Sequence, residues 1–120
     1  MIQPLGYLVS ILLAVLVAAS AWAGAAPLPL SDGSSAAMHN AEGIKHYEKG
    51  HWKEAHKHFN EAVQANPGAA EAHYNLALAL DKMGQHQDAA KHFKHAQDKG
   101  KDNPDIQNSG ILKAHVKMLK

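Results

Sequence analysis

GHWKEAHKHFNEAVQANP, residues Gly50 to Pro67, decides how the rest of the chain is read. Ala55, Phe59 and Ala62 fall at i, i+4 and i+7, so a small residue, an aromatic and another small residue share one stripe of a helix. Such a stripe is too thin to fold alone. Thirty-four residues on it returns as Gly84, Ala89, Phe93 and Ala96, within GQHQDAAKHFKHAQ. A stripe recurring at fixed spacing marks a unit that buries its apolar face against a copy of itself. Function is therefore expected on a stacked surface.

Working outward from that stretch, Ala41, Ile44 and Tyr47 sit three apart and predict a helix over about 37–49, with Ser34 or Ser35 as its cap and Gly50 as its stop. Asn66-Pro67 ends the helix that carries the stripe. In Ala70 to Met83 the apolar residues wrap around more than half the helix, as for a helix covered on two sides. Gly84 ends it in register with Gly50, and a fourth helix follows from about His86 to Lys99. Asn103-Pro104-Asp105 supplies a cap, a first-turn proline and an acid, opening one last half-polar helix to about residue 120. Such a helix suits the open end of a stack.

The N-terminal side differs in kind. Leu8 to Ala19 is almost unbroken Leu, Val, Ile and Ala, shorter than the roughly 20 residues a membrane span needs, and Ala21-Trp22-Ala23 follows with small residues flanking a large one. A secretory signal over 1–23, cut after Ala23, is expected; the alternative is an uncleaved anchor over 2–19. Residues 24–35, GAAPLPLSDGSS, read as a flexible, disordered tether. The body over 36–120 is then periplasmic or secreted, with any membrane contact made through the uncleaved segment.

Composition excludes several classes. The absence of cysteine removes disulfides and thiolate metal sites. There is no arginine, and a formal charge of +1 with acids and lysines interspersed gives no case for nucleic acid. No nucleophile with a partner base, no paired carboxylates in a pocket and no phosphate loop is evident, so no enzyme is expected. Ten histidines are the unusual feature. With ordinary titration they would turn a near-neutral domain strongly cationic by about pH 5, which allows a pH-responsive surface.

Aligned 34 apart, residues 36–69 and 70–103 share Ala36/Ala70, His39/His73, Gly50/Gly84, Ala55/Ala89, Lys57/Lys91, His58/His92, Phe59/Phe93 and Ala62/Ala96. With Gly43 and Ala77 at the small position of each first helix and Pro67 closing the first unit, the pattern resembles the tetratricopeptide repeat. The resemblance implies an all-α, right-handed stack of two antiparallel helix pairs, with the segment from about 104 to 120 as a capping helix. The first unit has His39, Glu42 and His46 where the family prefers Trp, Leu and Tyr, so its first helix should be the less buried one. Lys101 takes the closing proline position, which predicts a longer loop before the cap. Two units fall below the three or so that make a stable array, which suggests a homodimer or dependence on a partner.

The resemblance also implies a non-enzymatic adaptor or scaffold that holds a peptide or protein in a concave groove, with no cofactor. That groove would be lined by Asn40, Ile44, Tyr47 and Glu48 from the first unit and Tyr74, Asn75, Leu78, Asp81 and Lys82 from the second. Asn75 can fix a peptide backbone by donating and accepting together, while the tyrosines suit either contact or simple packing. The competing reading is a histidine-rich metal-binding or pH-responsive envelope protein. On helical spacing, Asp88, His92 and His95 are the candidate ligands for zinc, nickel or copper.

Overall fold

The structure, a computed structural model, describes residues 25–119, so the expected signal and its cut after Ala23 lie outside the described residues. Four long helices follow in pairs: α1 (Ser35–Glu48), α2 (Trp52–Ala65), α3 (Ala70–Lys82) and α4 (His86–Lys99). There is no strand among the described residues. Each pair packs on itself, α2 packs on α3, and the C-terminal elements lie against α4. The expected all-helical stack of antiparallel pairs is the observed one.

Local chemistry sets the boundaries. Ser34 caps α1, its hydroxyl accepting the Ala37 N–H at 3.1 Å. Both first helices stop in the same way. Gly50 and Gly84 take φ of 75° and 79°, the left-handed region that only glycine enters cheaply. The next residue then reaches back to the last turn, His51 N–H to His46 C=O and Gln85 N–H to Leu80 C=O, each at 2.9 Å. Identical turns give the two pairs the same geometry.

The repeated stripe is the seam of the stack. Ala55, Phe59, Ala62, Ala89, Phe93 and Ala96 are all fully buried. Gly43 is the reason Phe59 can sit so close to α1: a Cβ there would lie 2.5 Å from two ring carbons. Helix α3 buries ten residues whereas α1 buries only Ala36, Asn40 and Gly43, as the polar substitutions in the first unit predicted.

Two expectations need correction. The last helix is not continuous over 104–120. It breaks into α5 (Pro104–Gln107) and α6 (Gly110–Val116), followed by a 3-10 turn, Lys117–Leu119. The cause is Ser109, whose hydroxyl caps a second helix by accepting the Leu112 N–H at 3.3 Å and also meets the Tyr74 hydroxyl at 2.9 Å. The short α5 serves α4 instead, because Gln107 Nε2 donates to the C=O groups of Gln97 and Gly100 at 3.0 and 2.9 Å. The second correction concerns residues 24–35. Far from a free tether, the part of this stretch within the described residues is docked: Leu28 and Leu30 are half-buried against the stack, and Asp32 and Ser34 build the start of α1. The physical reason lies in the groove.

Candidate functional site

Asn40 on α1 and Asn75 on α3 face each other where the two first helices meet, and neither exposes any surface. A buried carboxamide must find partners, since leaving one unpaired costs about 1–3 kcal/mol. Asn75 Nδ2 donates to Asn40 Oδ1 at 2.8 Å and to the Leu28 C=O at 2.7 Å. Its Oδ1 accepts the Leu28 N–H at 2.7 Å. Asn40 Nδ2 then donates to the same Leu28 carbonyl at 3.0 Å. One peptide residue is thus gripped by both its polar groups.

The gripped segment suits this geometry. Pro29 biases Leu28 to extended backbone, and prolines on both sides remove competing N–H donors. The side chains of Ala25 and Leu28 rest on the main core cluster, and Leu30 packs beside Ala62, Ala69 and Ala72. The segment therefore crosses the first helices of both pairs, through Asn40 on α1 and Asn75 on α3. Near Ala25 lie two clefts. One, of about 340 Å³, is walled by Pro27, Tyr47, Trp52 and Lys82; the other, of about 600 Å³, by Tyr74, Asp105, Ser109 and Ile111.

The remaining groove candidates separate into contact and core. Ile44 and Tyr47 are partly buried against the core cluster. Tyr47 meets Trp52 edge-on with centroids 5.0 Å apart, and burial, followed by the charge of Asp81, pushes its hydroxyl up to about 12. Lys82 lies over the Trp52 ring at 5.4 Å, and Glu48 is exposed at the rim. Leu78 is 1% exposed and belongs to the core, not to the groove surface. Tyr74 is 3% exposed, with its ring edge-on to Phe93 and its hydroxyl held by Ser109, so it acts chiefly as a packing residue. Asp81 is drawn away to His86 and His115. Leu28 was missed in the sequence because nothing local marks it. The available signal was a pair of apolar-face asparagines, 35 residues apart, that needed a partner.

Asp88, His92 and His95 are not brought together as one ligand set. Asp88 pairs with Lys91 at 3.1 Å, one turn along its own helix. His92 turns its Nδ1 to the Nδ1 of His73 at 3.1 Å, and its ring centroid is 6.0 Å from that of His95. Among the described residues, the groups that do converge within 4.8 Å are His39 with His58 and Glu61, and Asp81 with His86 and His115.

The family model for the tetratricopeptide repeat matches residues 40–104, more than half of the chain. No curated protein matches it. With the 34-residue seam, the paired helices and this match in agreement, the chain belongs to the tetratricopeptide repeat family.

Proposed function

We propose that this protein is an adaptor whose groove holds an extended, proline-flanked segment of a partner protein, the site now filled by the chain's own residues 25–30. Family membership supports a protein-interaction module in general terms. The finer reading rests on a single observation, the grip of Asn40 and Asn75 on both polar groups of Leu28. That grip reads main chain, so it accepts any extended residue whose side chain suits the apolar wall. A partner segment would displace the resident one and inherit its bonds. No catalytic role is needed in this reading.

The setting we propose is the cell envelope, reached through the apolar N-terminal run. Cleavage after Ala23 would place Leu28 near a free chain end, where exchange with a partner is easiest. Among the described residues no helix is long and apolar enough to cross a membrane. Pairing with a second copy would also offset the short array.

The test uses a labelled peptide of residues 24–32 and the chain with residues 25–30 replaced by a glycine-serine run. Saturable binding that disappears in Asn75→Ala supports the groove. Equal binding to both proteins, or none up to millimolar peptide, removes the proposal.

A further inference from the structure

We propose that Asp81, His86 and His115 form a binding site for a divalent transition ion of the zinc class, which ties the C-terminal helix to the second repeat. The inference is independent of the groove reading.

The three residues come from three elements. Asp81 is in the last turn of α3, His86 is the first residue of α4, and His115 lies in α6. Asp81 Oδ1 is 2.7 Å from His115 Nε2 and 2.8 Å from His86 Nδ1. Two imidazole nitrogens and one carboxylate oxygen form the borderline donor set that zinc, nickel and copper prefer.

Proton positions sharpen the case. His115 Nδ1 is 2.9 Å from the Ile111 carbonyl oxygen, which can only accept, so Nδ1 carries a hydrogen. In the neutral ring, Nε2 then aims a lone pair at the Asp81 carboxylate, itself an acceptor. Two acceptors at 2.7 Å repel unless a positive species joins them, either a second ring proton or a metal ion. An imidazole whose far nitrogen donates to a backbone carbonyl is the arrangement that orients histidine toward a metal.

The surroundings also suit an ion. His115 is only 13% exposed and its ring packs on Phe93 at 5.1 Å, so one ligand is held in place before binding. The side chain of His86, in contrast, is 55% exposed, which leaves the outer side open for water to complete the coordination. Tetrahedral bonds of about 2.0–2.1 Å place ligand atoms roughly 3.3–3.4 Å apart. Asp81 Oδ1 must therefore draw back from each imidazole nitrogen by about 0.5–0.7 Å.

The other converging group, His39, His58 and Glu61, has distances of 2.9 and 3.6 Å to the carboxylate oxygen. Among the described residues neither of its histidines meets an orienting carbonyl, so it serves as the internal comparison.

The experiment titrates zinc into the full chain against a chromophoric chelator, with thermal melts alongside. One tight equivalent is expected, with melting raised by several degrees at saturating zinc. His86→Ala, at an exposed position, should keep the metal-free melt and lose affinity by roughly 100-fold or more; His115→Gln should lose a similar factor. His39→Ala should bind as the parent does. Unchanged affinity in His86→Ala, affinity lost instead in His39→Ala, or no binding tighter than millimolar would each overturn the assignment.

Discussion

His73 and His92 meet nitrogen to nitrogen, Nδ1 to Nδ1 at 3.1 Å, across the packed faces of α3 and α4. The Pro67 carbonyl, 2.8 Å from His73 Nε2, fixes the protons. It can only accept, so His73 donates from Nε2, keeps a lone pair on Nδ1, and takes the hydrogen of His92 Nδ1. His73 is neutral in this arrangement, and a second proton, which would have to sit on its Nδ1, breaks the contact.

Acid should therefore destabilise the fold through this pair. Burial, with the neighbouring His73 and His95, lowers His92 to about 4; burial also lowers His73, against the raising effect of its bond to Pro67. Asp88 opposes the shift at His92 only weakly, while His56 and, at His73, Lys99 add to it. The unfolded chain binds a proton near the ordinary histidine value and the folded chain does not. Stability is thus complete above about pH 6.5 and falls as pH drops toward 4. Full expression of the shift would amount to about 3 kcal/mol, and partial solvent exposure reduces this to roughly 1–2 kcal/mol. Melting at pH 7 and pH 5 checks it: His92→Asn should flatten the acid slope.

Gly43→Ala should lower stability by about 1–2 kcal/mol, because the crowding against Phe59 exceeds the helix-propensity gain of about 1 kcal/mol. Gly110→Ala, where a Cβ meets nothing within 4 Å, should leave stability unchanged or raise it. Denaturant midpoints of the two variants should move in different directions, or only the first should fall.

Asn75→Ala should release the N-terminal segment and cost about 2–4 kcal/mol, since it strips three hydrogen bonds and strands the Asn40 carboxamide. Hydrogen exchange reads the local effect directly. The Leu28 amide should be protected in the parent and exchange at the open-chain rate in the variant.

Ser109→Ala should cost more than Tyr74→Phe. Both lose the hydroxyl contact of 2.9 Å, worth about 1 kcal/mol, but only the serine change also removes the cap of α6. Melting of the two variants and of the double variant measures the difference, and the two effects should not add.

Much of the fold was legible because its causes are short-ranged. Ala55, Phe59 and Ala62 announce their shared face through spacing alone, and Gly50 and Gly84 announce the turns through backbone sterics. The site was legible in part. Asn75 stands out by residue type and place, but whether it meets a partner or solvent depends on residues far away. The continuous terminal helix failed because Ser109 can cap a helix or lie within one, and its contact with Tyr74 selects the cap.

The sequence by itself determined the repeat, its seam, its turns and therefore the stack, because sterics and apolar periodicity act within a few residues. Only the tertiary structure decided that Leu28 lies in the clasp of Asn75, 47 residues away, and that His115 meets Asp81, 34 residues away. Such contacts depend on which groups the folded stack leaves facing one another with unmet hydrogen bonds, and that is a property of the assembled helices.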